Sequence, residues 1–341
     1  MIARRALALI AALALAACGA ETDPRQPEAQ STNARPIAIV IHGGAGALAP
    51  GRYTPEEEAA HILALEEARD AGYAVLDAGG SSIDAVIAAI MRLEDDPKFN
   101  AGKGAVFTSE GTNELDASIM DGATRNAGAV AGVKRVKNPI LLARAVMDKS
   151  VHVMMAREGA ETFAEEQGLE LVDPQYFYTE RRWESLQRAI ERAERGASLP
   201  AEFKFGTVGA VALDRDGNLA AGTSTGGMTY KRWGRVGDSP IIGAGTYADN
   251  NSCGVSATGW GEYFIRLTIA RDICAQVEYG GKTVTDAADD VIFNRLSATE
   301  GTGGVIVLGA NGEIATPFNT DGMFRAWRKE GAEPYVAIYG E

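Results

Sequence analysis

The sequence predicts a layered α+β fold, because its strand-like and helix-like segments come in blocks rather than in regular alternation. A short β-branched strand at 37–41 is followed by two helices in series, at 54–76 and 81–91, which is unlike repeated βαβ units. Strand-like segments dominate again from residue 207. The chain has 341 residues, of which 46% are hydrophobic and 23% charged, enough for one large core or two ordinary domains.

The first two helices begin at recognisable caps. Thr54 has the place of the N-cap, Pro55 the first helical position, and Glu57 can reach back to the cap. Ser81, followed by Asp84, begins the second helix, whose apolar residues recur every three or four positions. Further strands are predicted at 114–120, 127–136, 207–213, 219–223, 241–245, 254–257, 305–308 and 313–315, and further helices at 139–147, 158–168, 181–195, 261–278 and 286–296.

The amino terminus has the pattern of an export signal. Residues 1–17 start with a basic pair and continue as an apolar run at 6–17, which is too short to span a bilayer as a helix. The run ends in Leu-Ala-Ala before Cys18, the pattern at which bacterial lipoproteins are cleaved and lipidated; the alternative is a plain secretory signal with an incidental cysteine. A polar tether follows at 18–36, and Gly19 favours the outer membrane. We therefore predict an exported lipoprotein on the periplasmic face of a bacterial membrane, in contact with the membrane only through the lipid.

Charge and cysteine content narrow the possible partners. The net charge of −13 argues against a general nucleic-acid partner. Cys253 and Cys274 are able to pair in an oxidising compartment, but two cysteines in so long a chain do not form a disulfide framework. We expect two buried free thiols.

Histidine usage restricts the catalytic options. The chain has three histidines, and none follows His152. The segment 222–226 matches G-x-S-x-G, but a hydrolase elbow with Ser224 as nucleophile needs a base histidine later in the chain. No His or Cys cluster has metal-ligand spacing, and 214–218 fits a hairpin turn better than a calcium loop. We therefore expect no cofactor for catalysis.

The pair Gly206-Thr207 offers a mechanism without histidine. On spacing alone it is the ordinary start of a strand. If the bond between the two residues is cut, however, Thr207 gains a free α-amine with a pKa of about 7.7–8.0, suited to act as general base for its own hydroxyl. An N-to-O acyl shift followed by hydrolysis achieves the cut without a protease.

Seven blocks in order make the chain resemble the type 2 asparaginases and isoaspartyl (β-aspartyl) peptidases of the N-terminal nucleophile hydrolase superfamily. The resemblance covers nearly all of 37–341, and implies a four-layer αββα sandwich formed from two chains made by autocleavage, 37–206 and 207–341, with two such αβ units in a homodimer. The blocks are 41–46 (IHGGAG), 93–102 (LEDDPKFNAG), 114–122 (ELDASIMDG), 206–214 (GTVGAVALD), 223–227 (TSTGG), 234–240 (GRVGDSP) and 258–262 (TGWGE).

The resemblance assigns the catalytic residues. Thr207 is the nucleophile, freed by cleavage after Gly206, and Thr225 hydrogen-bonds it. Thr258 and the backbone N–H of Gly259 form the oxyanion hole, whose donors stabilise the charge of a tetrahedral intermediate. Read without the resemblance, the two later threonines are ordinary strand residues.

The resemblance also assigns the binding residues. Arg235 grips the substrate α-carboxylate, and Asp238 binds the α-ammonium with help from the carbonyl of Gly261. Asn100 lies near the active site and positions the scissile segment. The structural alternative for Arg235 and Asp238 is a surface ion pair worth about 0–1 kcal/mol.

A structural sodium ion is implied as well, held by main-chain carbonyl groups in the loop 93–103. Backbone ligation tolerates side-chain change, so a lysine in this set is no obstacle. Residues 230–233 are bulkier than the family connector and are expected to shape the mouth for the leaving group. The carbonyl ligands are those of Leu93, Glu94, Asp96, Phe99, Ala101 and Lys103.

These observations predict an autoprocessing threonine amidohydrolase that cleaves β-aspartyl dipeptides and L-asparagine through an acyl-enzyme on Thr207. A glycosylasparaginase is the nearest alternative, but Phe205-Gly206 stands where that enzyme has His-Asp. An uncleaved lipoprotein that binds amino acids or peptides is the alternative of another class.

Overall fold

The computed structural model describes residues 36–196 and 206–340. The predicted signal peptide 1–17, Cys18 and the tether up to residue 35 lie outside the described residues. Within the two described segments, no helix is long and apolar enough to cross a membrane.

Helices occupy two blocks of the chain, as the sequence predicts. The capping box of the first is present: the Thr54 hydroxyl accepts the Glu57 N–H, and the Glu57 carboxylate accepts the Thr54 N–H. The α-helices are α1 (Pro55–Asp77), α2 (Ser82–Asp95), α3 (Pro139–Lys149), α4 (Arg157–Glu166), α5 (Glu180–Glu194), α6 (Gly261–Leu267), α7 (Ile269–Gly280) and α8 (Val284–Asp289), which continues as a π-helix (Asp290–Leu296).

The strands form two sheets. One has eight strands in the order β12-β11-β1-β5-β6-β2-β3-β4, antiparallel except between β3 and β4, and the other has four in the order β10-β9-β8-β7. The strands are β1 (Ala38–Gly46), β2 (Leu115–Asp121), β3 (Ala127–Val133), β4 (Met154–Ala156), β5 (Val208–Leu213), β6 (Leu219–Thr225), β7 (Thr246–Ala248), β8 (Cys253–Gly259), β9 (Gly303–Gly309), β10 (Ile314–Ala315), β11 (Gly322–Lys329) and β12 (Tyr335–Tyr339).

The larger sheet is buried on both faces, which explains its continuous hydrophobic strands. Ile39 and Ile41 of β1 belong to one core cluster with residues of α1, α2 and α3. Ala38 and Val40, on the opposite face, belong to a second cluster with residues of β8, β9, α7 and α8. The alternation of side chains along a strand thus divides one hydrophobic run between two cores.

Two of the predicted elements are wrong in detail. The predicted helix 261–278 is broken at Thr268, whose left-handed backbone (φ +49°) ends α6 and begins α7. The predicted strand 241–245 is a turn in which the Ala244 and Gly245 N–H groups bond back to the Ile241 carbonyl. Hydrophobic periodicity does not distinguish these cases, because both segments are packed on the same core.

The expectation of two free thiols is also wrong. Cys253 and Cys274 form a disulfide, with Cα atoms 5.3 Å apart. Cys253 begins β8 and Cys274 lies in α7, which packs on that strand. The two cysteines are 21 residues apart in sequence, and they pair because α7 packs against the sheet that contains β8. No local sequence pattern predicts this contact.

Candidate active site

Thr207 directly precedes β5, the strand between β1 and β6 in the larger sheet. Its hydroxyl donates to the Thr225 hydroxyl at 3.1 Å, at the end of neighbouring β6. Thr225 Oγ1 also accepts the Gly227 N–H at 3.0 Å, which fixes the acceptor. Both threonines are buried, so the pair lies in a site from which water is largely excluded.

The peptide bond before Thr207 lies between the end of β1 and the loop that carries Asn100. Gly206 has a φ of +135°, and a Cβ there would lie 2.8 Å from the Asn100 Cβ. A Cβ on Gly44, where φ is +113°, would lie 2.8 Å from the Gly206 Cα. Both positions therefore need glycine for conformation and for space.

Asn100 contacts both sides of the site. Its backbone N–H donates to the Gly206 carbonyl oxygen at 3.1 Å. Its side-chain amide donates to the Gly227 carbonyl at 2.8 Å and accepts the Val106 N–H at 2.9 Å. The structure thus places Asn100 at the bond that the sequence predicts to be cut.

Thr258 and Gly259 end β8 in the smaller sheet, and Thr258 contacts the end of β1. The Thr258 hydroxyl oxygen accepts the Ala45 N–H at 3.2 Å. Ala45 follows Gly44, which packs on Gly206. Because the Thr258 oxygen accepts from the backbone, its hydroxyl hydrogen can be donated to another group.

Arg235 forms a bidentate ion pair with Glu262, with N–O distances of 3.0 and 2.8 Å. Burial works against the guanidinium charge, but the hydrogen bonds and the charge of Glu262 outweigh it, so the pKa of Arg235 is raised. Arg235 therefore stays charged and is already held by a carboxylate. No local spacing predicts Glu262 as its partner, since the two are 27 residues apart.

Asp238 is buried beside Arg235. Burial raises the pKa of its carboxyl to about 7, although the nearby charge of Arg235 lowers it in part. A Cβ on Gly261 would lie 2.8 Å from Asp238 Oδ1 and 2.9 Å from an Arg235 nitrogen, so only glycine admits this approach. We call Arg235, Asp238, Gly261 and Glu262 the Arg235–Asp238 cluster.

One oxygen in this cluster is not satisfied. Asp238 Oδ2 is buried and has no hydrogen-bond partner among the described residues. A buried carboxylate oxygen without a donor is costly, and a bound cation removes that cost. That oxygen is therefore available to accept a hydrogen bond from a positively charged group.

The structure argues against a histidine or serine mechanism. Burial lowers the pKa of His42 to about 3, and its Nδ1 lies 3.1 Å from the Thr207 carbonyl oxygen rather than from the hydroxyl. Ser224 is fully buried and donates to a Glu94 carboxylate oxygen at 2.6 Å. Neither side chain has the position that an elbow mechanism requires.

The predicted sodium residues lie in the last turn of α2 and the loop that follows it. Leu93 and Glu94 are in that turn, where carbonyl groups lack helical partners. The carbonyl oxygens of Glu94 and Phe99 lie so close to Gly102 and Gly104 that a Cβ there would be at 2.3 and 1.9 Å. These two carbonyl oxygens thus face the glycines of the loop. Among the described residues, no group of three or more His, Cys, Asp or Glu side chains is placed to hold a metal ion. The remaining predicted ligands, Asp96, Ala101 and Lys103, are in the same loop.

Comparison with known proteins agrees with this geometry. A family model described as "Asparaginase" matches residues 35–338. Isoaspartyl peptidase of Salmonella typhimurium is 52% identical over 308 residues, covering 89% of this chain and 98% of that protein. A probable isoaspartyl peptidase/L-asparaginase 2 of Arabidopsis thaliana is 45% identical, covering 89% and 98%. Human isoaspartyl peptidase/L-asparaginase is 43% identical, covering 87% and 94%. The chain belongs to the asparaginase family.

Proposed function

We propose that this chain is an autoprocessing threonine amidohydrolase that cleaves β-aspartyl peptides and L-asparagine. The observation that carries the proposal is the 3.1 Å hydrogen bond from Thr207 to Thr225, formed directly beside Gly206, whose backbone has a φ of +135°. The names of the relatives support the same substrates. Their high coverage makes the match one between whole proteins.

Autocleavage comes first. The Thr207 hydroxyl oxygen attacks the Gly206 carbonyl carbon, and the C–N bond breaks to leave an ester on that oxygen and a free α-amine. Water then hydrolyses the ester and releases the Gly206 carboxylate. The Asn100 N–H, 3.1 Å from the Gly206 carbonyl oxygen, stabilises the negative charge that forms there.

Turnover repeats this chemistry on a substrate. The free Thr207 amine takes the proton from the Thr207 hydroxyl, which attacks the side-chain carbonyl of the aspartyl group. The Thr258 hydroxyl and the Gly259 N–H stabilise the tetrahedral oxyanion. Ammonia or a peptide amine leaves with a proton, and water hydrolyses the β-aspartyl ester to aspartate.

The Arg235–Asp238 cluster selects the aspartyl head group. The guanidinium of Arg235 binds the α-carboxylate, and the unsatisfied Oδ2 of Asp238 accepts a hydrogen bond from the α-ammonium. Both interactions are absent for an amide without these two groups. The cluster therefore accounts for specificity, and the threonine pair for chemistry.

We further propose the finer architecture that the resemblance implies. In it, α1, α2 and α3, the two sheets, and α7 with α8 are the successive layers of an αββα sandwich. Chains 37–206 and 207–341 share the larger sheet, since β1 precedes the cut and pairs with β5 after it. Two αβ units form a homodimer.

The ligand atoms that the 93–103 loop offers suit a structural sodium ion. Hard cations bind oxygen ligands, and the loop supplies main-chain carbonyl oxygens. The carbonyl oxygens of Leu93, Glu94, Asp96, Phe99, Ala101 and Lys103 would hold it. Its contribution is to stiffen the segment that carries Asn100, and no chemical step depends on it.

We propose export and lipidation at Cys18 on the sequence pattern alone. Mass spectrometry of the amino-terminal peptide from membranes is expected to show a diacylglycerol on Cys18. A Cys18→Ala variant would then be recovered in the soluble fraction. An unmodified Cys18 in the membrane fraction would contradict the proposal.

A substrate panel tests the proposed activity. The purified protein is given β-Asp-Leu, L-asparagine and a glycosyl-asparagine, and release of aspartate is followed. We expect hydrolysis of the first two and much slower hydrolysis of the third. A preference for the glycosyl-asparagine, or no hydrolysis of any of the three by processed protein, would overturn the assignment.

A further inference from the structure

A continuous row of buried polar side chains lies between the two sheets, and the proposed reaction makes no use of it. The residues come from strands β1, β6 and β2 of the larger sheet and β7 and β8 of the smaller one. None has any exposed surface. We call these residues the hydroxyl chain: His42, Ser256, Thr223, Thr246 and Ser118.

The first end of the hydroxyl chain is at the proposed nucleophile. His42 Nδ1 lies 3.1 Å from the Thr207 carbonyl oxygen, and Nε2 lies 3.0 Å from Ser256 Oγ. Ser256 Oγ is in turn 2.7 Å from Thr223 Oγ1. The imidazole thus connects the backbone of Thr207 to the hydroxyl groups between the sheets.

The other end of the hydroxyl chain is at the Arg235–Asp238 cluster. Thr223 Oγ1 is 2.5 Å from Thr246 Oγ1, which is 2.7 Å from Ser118 Oγ. Ser118 donates to the Ser239 carbonyl oxygen at 2.6 Å, and Ser239 directly follows Asp238 in the chain. Polar atoms within hydrogen-bonding distance of one another therefore extend from the nucleophile to the loop of the cluster.

Hydrogen counting assigns the direction of these bonds. Each end is a carbonyl oxygen, which only accepts, so His42 must carry its hydrogen on Nδ1 and Ser118 must donate to Ser239. Ser256 then donates to His42 Nε2, while Ser118 Oγ is also placed to donate to Thr246 Oγ1. Thr223 is left with one hydrogen and three oxygen neighbours, at 2.5, 2.7 and 3.1 Å. Thr223 therefore joins the His42–Ser256 part of the hydroxyl chain to its Thr246–Ser118 part.

Gly209 in β5 leaves room for this arrangement. A Cβ there would lie 1.9 Å from Ser256 Oγ and 2.5 Å from His42 Nε2. Gly209 does not have a positive φ, so its backbone conformation alone does not require glycine. The space it leaves is the space that the bond between His42 and Ser256 occupies.

We infer that the hydroxyl chain sets the position of Thr207 relative to the loop of Asp238, and that His42 is its positioning residue, with the hydrogen on Nδ1 and a lone pair on Nε2. The inference deepens the proposed function and rests on it for its catalytic consequence. The position of the imidazole hydrogen on His42 Nδ1 is the geometric part of the inference. It can be tested separately, because it does not depend on whether the protein is active.

Nuclear magnetic resonance tests the geometric part. With three histidines in the whole chain, long-range proton–nitrogen spectra resolve each imidazole, and His42→Gln identifies its signals. We expect a neutral His42 protonated at Nδ1 near pH 7, and in Ser256→Ala a changed Nε2 shift with the hydrogen still on Nδ1. Protonation at Nε2, or at both nitrogens, in the wild-type protein would overturn the inference.

Kinetics test the catalytic consequence. Thr223→Val removes the hydroxyl that joins the two parts of the hydroxyl chain. We expect kcat on β-Asp-Leu to fall about tenfold. KM is expected to change less than about threefold, since the Arg235–Asp238 cluster keeps its own contacts. Thr223→Ser keeps the hydroxyl and is expected to restore kcat to within about twofold. Ser224→Ala is the matched control, because it removes a neighbouring buried hydroxyl that does not belong to the hydroxyl chain.

The outcomes separate the two proposals. Wild-type kcat in a folded Thr223→Val variant, or failure of Thr223→Ser to restore it, would overturn the positioning role. If Thr223→Val does not fold, Ser256→Ala provides the same comparison. If the wild-type protein hydrolyses none of the substrates, the proposed function fails, while the hydrogen position of His42 still decides the geometric part.

Discussion

The hydroxyl and the carbonyl oxygen of Thr207 both have hydrogen-bond partners in the structure, namely Thr225 and His42. At the Arg235–Asp238 cluster, by contrast, Asp238 Oδ2 has none among the described residues, and burial raises the pKa of that carboxyl to about 7. The first region is organised before any substrate is present. The second leaves one carboxyl oxygen available to a donor group of the proposed substrate. The difference suggests that chemistry and selectivity are separable, and the following predictions test that separation.

The largest effect is expected at the nucleophile. Thr207→Ala removes the only hydroxyl that can attack Gly206, so the chain is expected to stay uncut and hydrolysis of β-Asp-Leu to fall by at least about 10⁴-fold. Ser224→Ala is the control and is expected to process. If the serine change abolished turnover while Thr207→Ala did not, the elbow mechanism would return.

Altering the charged side chains of the cluster should separate the two regions. Asp238→Asn and Arg235→Lys each disturb a buried charge, so kcat/KM on β-Asp-Leu is expected to fall by about 10²–10³. Autocleavage needs neither side chain, and both variants are expected to yield the two fragments by gel electrophoresis. An Asp238→Asn variant that failed to cut itself would show that the regions are not independent.

The disulfide should matter for stability rather than for chemistry. It closes a separation of 21 residues and ties β8, the strand of Thr258, to α7. The variant Cys253→Ala with Cys274→Ala is expected to lose about 3 kcal/mol of unfolding free energy in denaturant titration and to keep kcat within about threefold. A large loss of kcat with unchanged stability would place the disulfide in the catalytic region.

The smallest predicted effect is on pH dependence. The substrate ammonium needs an ionised Asp238 and the reaction needs a neutral Thr207 amine, so each group is expected to contribute about a tenfold fall in kcat/KM per pH unit below its pKa, which for Asp238 is about 7. In Asp238→Asn, the pH profile of kcat/KM should lose the fall due to Asp238 and keep the fall due to protonation of the Thr207 amine. An identical profile in the variant would assign the fall to the amine alone.

The same pKa has an opposite consequence for stability. Because the folded pKa of Asp238 is raised above its ordinary value of 3.8 to about 7, the folded state keeps a proton that the unfolded state loses between these values. The unfolding free energy of the substrate-free protein should therefore fall as pH rises through this window. Asp238→Asn is expected to lessen that fall in thermal unfolding at several pH values.

Local sequence patterns predict those parts of the fold that depend on neighbouring residues. The capping box at Thr54 and the hairpin of β5 and β6 depend on residues a few positions apart, and the structure contains both. Strands β11 and β12 were not predicted, although β11 pairs with β1 across nearly the whole chain. Such pairings, like the disulfide and the turn at 241–245, depend on distant partners that no local pattern encodes.

The candidate site divides in the same way. Thr207, Thr225 and Asn100 come from separate sequence blocks, and the structure brings them into direct hydrogen-bonded or packing contact around Gly206. Glu262 as the partner of Arg235, and the placement of His42 on the Thr207 carbonyl, were not foreseen. The first contact joins a loop to α6 and the second joins the neighbouring strands β1 and β5, and a single sequence does not specify such contacts.

The measurement that tests the central claim most directly is the intact mass of the purified wild-type protein, together with amino-terminal sequencing of the smaller species. The account predicts two fragments separated between Gly206 and Thr207, the smaller beginning with Thr207 and spanning 207–341. A single uncut chain that nevertheless hydrolyses β-aspartyl peptides, or a cut at another bond, would contradict it.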